Sequence, residues 1–239
     1  EVKRVEEIIK NEKDTFSGTL RIGIIPTLSP YLVPLFATKF ARKYPDVNII
    51  IEELLSNQIM RKLEHDQLDV GIMVQNESKQ GLISSPIFYE AFLLYFSNNH
   101  ELLKNEKINI DDLNPEEIWL LKEGHCFRDQ IQTFCGNSFF KSKNHTLEFE
   151  SGSLETLRKI VESEVGFTLL PELAIDELPA EKRKNIRAFD KKSPVREISL
   201  VVHRSFLKQK LIEQLKIEIQ AEIPKKMQNA KRGEVVKWV

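Results

Sequence analysis

The sequence predicts an α/β protein built from two β-α series. Three observations predict it: strand-like and helix-like stretches alternate from end to end, the alternation starts afresh near Ala91, and a last strand and helix are placed to return to the first series. Such alternation implies mainly parallel sheets. Two series of similar size imply two lobes and a cleft between them, where strand ends and helix N-termini surround a ligand.

The elements follow in order. "GTLRIGII" (Gly18 to Ile25) reads as a strand, and "SPYLVPLFATKFARKYP" as a helix in which Leu32, Phe36 and Phe40 recur at a spacing of four until Pro45 stops it. "VNIIIEE" is the next strand, "SNQIMRKLEHDQ" a short helix with Ser56 as candidate N-cap, and "LDVGIMV" a third strand. The second series opens with "AFLLYFS" (Ala91 to Ser97) and "EIWLL" (Glu117 to Leu121). It continues through a cysteine segment, "LEFE", the helix "SLETLRKIVESE" and the strand "GFTLLP". "REISLVVH" is a closing strand and "FLKQKLIEQLKIEIQAEI" a closing helix. Glu1 to Phe16 reads as the tail of an exposed helix, and "PKKMQNAKRGEVVKWV" as a solvated basic extension.

Composition excludes several classes. With 35 basic and 36 acidic residues in 239, 41% hydrophobic and 30% charged, the chain is an ordinary globular one, long enough for one large domain or two small ones. The net charge of -1 points to no particular partner. No apolar run approaches the roughly 18 residues of a membrane span, and "EVKRVEEIIKNEK" is too charged for a signal peptide. A cytoplasmic compartment and resting thiols in the reduced state are therefore expected. A start at Glu1-Val2, with no initiator Met, reads as a fragment.

"LLKEGHCFRDQIQTFCG" (Leu120 to Gly136) holds the only two cysteines, nine positions apart. A structural zinc site wants four ligands at short spacings, and His125, Cys126 and Cys135 have no C-x-x-C or H-x-x-x-H companion, so no metal is expected. A stapling disulfide belongs to small secreted domains. One reading left open is two buried, inert thiols packed as small hydrophobes.

"GTLRIGIIPTLSPYLVPLF", "YPDVNIIIEE" and "LEHDQLDVGIM" resemble the effector-binding domain of LysR-type transcriptional regulators. "EGHCFRDQ....C", with "SGSLETLRKIV" and "GFTLLPELAI" after it, is similar to the peroxide-sensing branch of that family; the resemblance covers roughly Gly18 to Ile223. It implies a two-lobed α/β regulatory domain of the type 2 periplasmic-binding-protein kind with two Rossmann-like subdomains. Residues 1–17 would end a linker helix, 18–88 with 198–224 form the first subdomain, 89–197 the second with the redox cysteines, and 225–239 a C-terminal tail.

The same resemblance implies a redox switch with no cofactor and no enzymatic turnover. Hydrogen peroxide oxidises Cys126, the peroxidatic thiol; Cys135 resolves it as a disulfide; and the remodelled domain changes how a tetrameric regulator sits on DNA. The implied partners are hydrogen peroxide, further copies of the chain as homodimer and tetramer, and DNA through an N-terminal winged helix-turn-helix outside this chain. A glutaredoxin- or thioredoxin-like reductant would reset the switch. No membrane is involved. Two features depart from relatives: Ser56 stands where Thr is common, and the segment between Cys135 and Ser153 is a few residues longer.

Physical chemistry assigns roles beside the resemblance. Only a thiolate attacks a peroxide O–O bond, so a sensor lowers its cysteine pKa below the free value of roughly 8.5. Arg128 and a helix N-terminus near Phe127 favour the anion, with His125 either assisting or simply packing. Thr27 and Ser56 follow predicted strands and can donate hydroxyl hydrogen bonds to the leaving oxygen, or act only as turn and cap residues. Asp129 fits a pairing with Arg128 or a helix cap better than a role toward peroxide. If "FRDQIQTF" is helical, the two cysteine Cα atoms lie roughly 13 Å apart on opposite faces. A disulfide needs them within roughly 7 Å, so the segment must unwind or re-pack first. Two rival functions remain: the same fold with its cleft holding a small organic effector and no need of the cysteines, and a thiol peroxidase that uses the same cysteine chemistry.

Overall fold

The computed structural model describes residues 16–74, 81–136, 150–190, 193–205 and 208–237. The elements, in chain order, are β1 (Gly18–Ile24), α1 (Ser29–Lys43), β2 (Val47–Glu53), α2 (Ser56–Glu64), β3 (Val70–Met73), β4 (Leu82–Phe96), β5 (Lys107–Ile108) and α3 (Cys126–Cys135). Then come α4 (Leu154–Ser163), β6 (Phe167–Pro171), α5 (Glu172–Asp176), α6 (Ala180–Arg183), β7 (Ile186–Phe189), β8 (Pro194–His203), α7 (Gln209–Glu222) and β9 (Glu234–Val235). The chain forms two compact units. One takes the chain up to Phe88 with Ile198–Asn229, the other Tyr89–Glu197 with Ala230 onward, so β4 and β8 each pass from one unit to the other.

In the first unit, β1 lies between β2 and β3 and runs parallel to both, while β3 pairs antiparallel with β8, setting Gly71 beside Val201. Helix α1 opens with Pro30, whose missing N–H costs nothing in a first turn, and closes with Arg42 and Lys43, whose charges suit the negative end of the helix. Its Leu32, Phe36 and Phe40 are buried, as their spacing of four predicts. Helix α7 buries Leu211, Leu215 and Ile219 at the same spacing, and Lys39–Glu222 and Lys43–Glu218 ion pairs link it to α1. Helix α2 presses closely on β3: a Cβ on Gly71 would stand 2.5 Å from Ile59 Cγ2.

In the second unit, β4 pairs antiparallel with β6 and β7, β7 runs parallel to β5, and β8 parallel to β9. Parallel pairing therefore holds within β1, β2 and β3 and fails around β4. Strand β4 is also longer than expected, starting at Leu82 instead of Ala91. "EIWLL" is not a strand: Pro115–Glu117 form a 3-10 turn, and Ile118 and Leu121 make isolated bridges to Phe167 and Ser151. Hydrogen bonds from Trp119 N to Phe167 O (2.8 Å) and from Thr168 Oγ1 to Trp119 O (2.7 Å) serve that backbone in place of a ladder.

The basic C-terminal stretch is not a solvated tail. Met227 is 1% and Val236 7% exposed, and β9 joins the second unit beside β8. Met227 and Val236 turn inward, and backbone pairing of Glu234 with Ser193 and of Val236 with Val195 holds the stretch in place. The expected linker helix falls largely on residues 1–15, and most of "LEFE" on 147–149, outside the described residues.

Gly166 makes the tightest turn of the second unit, with φ 128° and a would-be Cβ only 2.2 Å from the Glu117 carbonyl oxygen. Gly166→Ala is expected to cost about 2 kcal/mol of stability. Urea unfolding measures it, and an unchanged midpoint would show that the turn relaxes freely.

Candidate functional site

The cysteine segment sits on a scaffold built mostly from backbone contacts. Lys122 N donates to Ser151 O at 2.8 Å, and the Arg128 guanidinium Nη1 donates to Leu121 O at 2.8 Å, so the strand-like approach is tied before the helix begins. His125 is the N-cap residue of α3, with φ -91° and ψ 118° and no side-chain cap of its own. The helix therefore starts at Cys126, one residue before the expected Phe127, and puts Cys126 in the first turn, where the unpaired N–H groups favour an anion. It ends at Cys135, so the two cysteines are its first and last residues.

No disulfide joins the two cysteines; Cys126 is buried and Cys135 half-buried. Ten residues of continuous helix separate the two Cα atoms by roughly 13 Å and turn the side chains to opposite faces. Burial pushes the Cys135 thiol up to about 12, which leaves it protonated at neutral pH. Burial, with Lys122 nearby, lowers the His125 pKa, so that ring is neutral at pH 7. The His125 ring lies against Gly152: a Cβ there would stand 3.4 Å from Nε2. For Asp129, burial raises the carboxyl pKa while Arg128 opposes the rise and Glu123 adds to it.

The apolar face of α3 anchors it. Phe127 and Ile131 are 1% and 2% exposed, Phe127 stacks at 5.0 Å on Phe92, and Phe134 meets Phe189 edge-on at 5.0 Å. Each fully buried side chain of this size is worth roughly 1.5 to 3 kcal/mol, which any unwinding of α3 has to offset. Beneath Phe127 lies a charged pair with no solvent contact: Arg196 and Glu90 are both 0% exposed, joined at 2.6 Å through Nη2 and 2.8 Å through Nε. The Arg196 guanidinium lies 5.0 Å from the Phe127 ring centroid, a cation–π contact.

The six residues singled out from sequence divide between the units. His125, Cys126, Arg128 and Cys135 are gathered on α3 and its N-cap in the second unit; Thr27 and Ser56 belong to the first. Ser56 is not an N-cap. Leu55 occupies that position, Gln58 Oε1 accepts from Leu55 N at 3.0 Å, and Ser56 starts the helix with its Oγ buried and unpartnered among the described residues. Thr27 is 2% exposed.

Sequence reasoning missed Gln130. It is fully buried on α3, its Nε2 donates to Val236 O at 2.8 Å, and its Oε1 finds no donor among the described residues. The available signal was position alone, one helical turn after Cys126. No cluster of three or more His, Cys, Asp or Glu side chains suited to a metal ion occurs among the described residues, and no helix there is long and apolar enough to cross a membrane.

Known proteins resemble this chain in sequence and in fold. A hydrogen peroxide-inducible genes activator from Haemophilus influenzae is 34% identical over 203 residues, covering 84% of this chain and 66% of that protein. The chain thus spans just under two thirds of that relative's length. The crystal structure of OxyR from Porphyromonas gingivalis superposes with a TM-score of 0.83 at 30% identity, over 93% of this chain and 100% of the other. The crystal structure of the reduced form of OxyR superposes with a TM-score of 0.74 at 31% identity, over 89% and 98% of the two chains. Residues 13–222 match the family model described as the LysR substrate binding domain, and with that match covering most of its length the chain belongs to the LysR substrate-binding-domain family.

Proposed function

We propose that the chain is the hydrogen-peroxide-sensing regulatory domain of a DNA-binding transcriptional regulator, switched by a Cys126–Cys135 disulfide. The observation that carries this reading is the placement of two cysteines, not joined by a disulfide, at the two ends of one helix, the first in an anion-favouring turn and the second held protonated. The Cys126 thiolate attacks one peroxide oxygen, the O–O bond breaks, and hydroxide leaves; Cys126 becomes a sulfenic acid. The Cys135 thiol then forms the S–S bond and the sulfenic oxygen leaves as water. Two thiols are oxidised by two electrons and one peroxide is reduced to two waters.

Arg128 and the N-terminus of α3 support the thiolate in this scheme, and His125, neutral at pH 7, is available to hydrogen-bond. For Thr27 and Ser56, each described within the first unit only, the role of hydroxyl donor rests on the family resemblance. A cytoplasmic setting, assembly as a homodimer or tetramer, DNA contact through a unit outside this chain, and reset by a glutaredoxin- or thioredoxin-like reductant complete the proposal. The domain acts as a switch and not as an enzyme.

The test is a thiol count by intact mass after one equivalent of hydrogen peroxide. Both free thiols are expected to disappear with no oxygen retained. Two surviving thiols would overturn the reading in favour of an effector-binding domain with inert cysteines, and sustained peroxide consumption with thioredoxin would assign a peroxidase instead.

A further inference from the structure

Residues 232–236, Arg-Gly-Glu-Val-Val, are fastened along their length. Glu234 N donates to Ser193 O at 3.0 Å and Val236 N to Val195 O at 2.8 Å. Arg232 reaches Glu172 Oε2 at 2.6 Å through Nη2 and the Tyr89 carbonyl at 2.8 Å through Nη1. The remaining fastening is to α3: fully buried Gln130 donates through Nε2 to Val236 O at 2.8 Å. Gln130 stands four residues after Cys126 and so shares its helix face.

The segment reaches α3 by a second route. Glu172, held by Arg232, opens α5, and the next residue's N–H, from Leu173, donates to Glu90 Oε2 at 3.3 Å. Glu90 pairs with Arg196, which lies against Phe127, the neighbour of Cys126. The C-terminal segment therefore bears on the cysteine helix directly at Gln130 and indirectly beneath Phe127.

We propose that residues 232–236 are a strap holding α3 in its helical form, that Gln130 is the positioning residue through which the strap acts on Cys126, and that disulfide formation releases it. This rests on the reading that Cys126 and Cys135 pair. A helix that keeps its cysteines on opposite faces has to open before they join, and opening draws Gln130 away from the Val236 carbonyl. Coupling of this kind is reciprocal: whatever loosens the strap favours the disulfide, and the disulfide loosens the strap.

The test uses the full chain with Gln130→Met, which keeps the length and removes the donor. In the reduced protein, alkylation of buried Cys126 by iodoacetamide is expected to speed up about tenfold, as loss of one hydrogen bond implies. The thiol–disulfide midpoint against glutathione should shift toward the disulfide by about 30 mV, the same tenfold factor. A merely structural role would lower the melting temperature and leave the midpoint unmoved. Unchanged alkylation and midpoint would overturn the strap. Should Gln130→Met fail to fold, Arg232→Met carries the same two measurements. The alkylation arm needs no peroxide, so a wild-type chain that formed no disulfide would sink the sensing reading while still reporting on the strap.

Discussion

Cys126→Ser is expected to abolish peroxide oxidation of both thiols, while Cys135→Ser leaves a sulfenic acid at Cys126 that a dimedone-type probe traps. The asymmetry follows from the two environments. Burial in the intact helix pushes the Cys135 thiol up to about 12, so it rests protonated at pH 7 and does not take over as the peroxide nucleophile when Cys126 is missing. Without Cys135, the sulfenic acid lacks its condensing thiol, since the chain has only these two cysteines. Mass spectrometry of the labelled peptides checks both results. Label appearing on Cys135 before Cys126 in the wild type would exchange the two roles.

Arg196→Met is expected to destabilise the fold by about 3–5 kcal/mol, because it leaves the Glu90 carboxylate buried without a counter-charge. The loss should depend on pH. Burial already raises the Glu90 pKa, and Arg196 is the main influence holding it down. Without Arg196 the folded-state pKa climbs further above the unfolded value of about 4.3. A carboxyl shifted upward contributes its stability below the unfolded pKa and loses it as pH rises through the folded pKa. The variant should therefore be nearest wild type in mild acid and furthest from it at pH 8, and Glu90→Gln added to it should remove the trend. Urea midpoints at pH 5 and pH 8 decide the matter; an equal loss at both would mean that water reaches Glu90.

The first unit was legible because its strands and helices carry their own periodicity. Leu32, Phe36 and Phe40 announce α1, and the apolar runs of β1, β2 and β3 lie inside the stretches read as strands. The opening of β4 was not legible: "LISSPIFYE" carries two serines and a proline, and its strand character comes from neighbours distant in sequence. The same limit applied to "EIWLL", whose Ile118, Trp119 and Leu121 are buried in an irregular segment held by single bridges. In the site, the α3 helix could be read from Phe127, Ile131 and the cysteine spacing. The Gln130 contact could not, since its acceptor is a backbone carbonyl in a stretch that looks solvated. Nor could the Glu90–Arg196 pair, because charged residues in a strand read as exposed unless a partner 106 positions away is known.

The passage of β4 and β8 between the two units bears on the order in which the chain can fold as it is made. The first unit is split in sequence: β1, β2 and β3 are synthesised early, yet the strand that covers the far edge of β3 and the helix that packs on α1 come from beyond Ile198. Lys39 and its partner Glu222 are separated by 183 positions. A nascent chain therefore carries an uncovered sheet edge and an unpartnered helix face throughout translation of Tyr89–Glu197, the larger part of the second unit. The second unit can gather most of its elements while still tethered, but the first closes only when the stretch beyond Ile198 has emerged, which makes the sheet of β1, β2 and β3 the part most dependent on protection from neighbouring chains during synthesis.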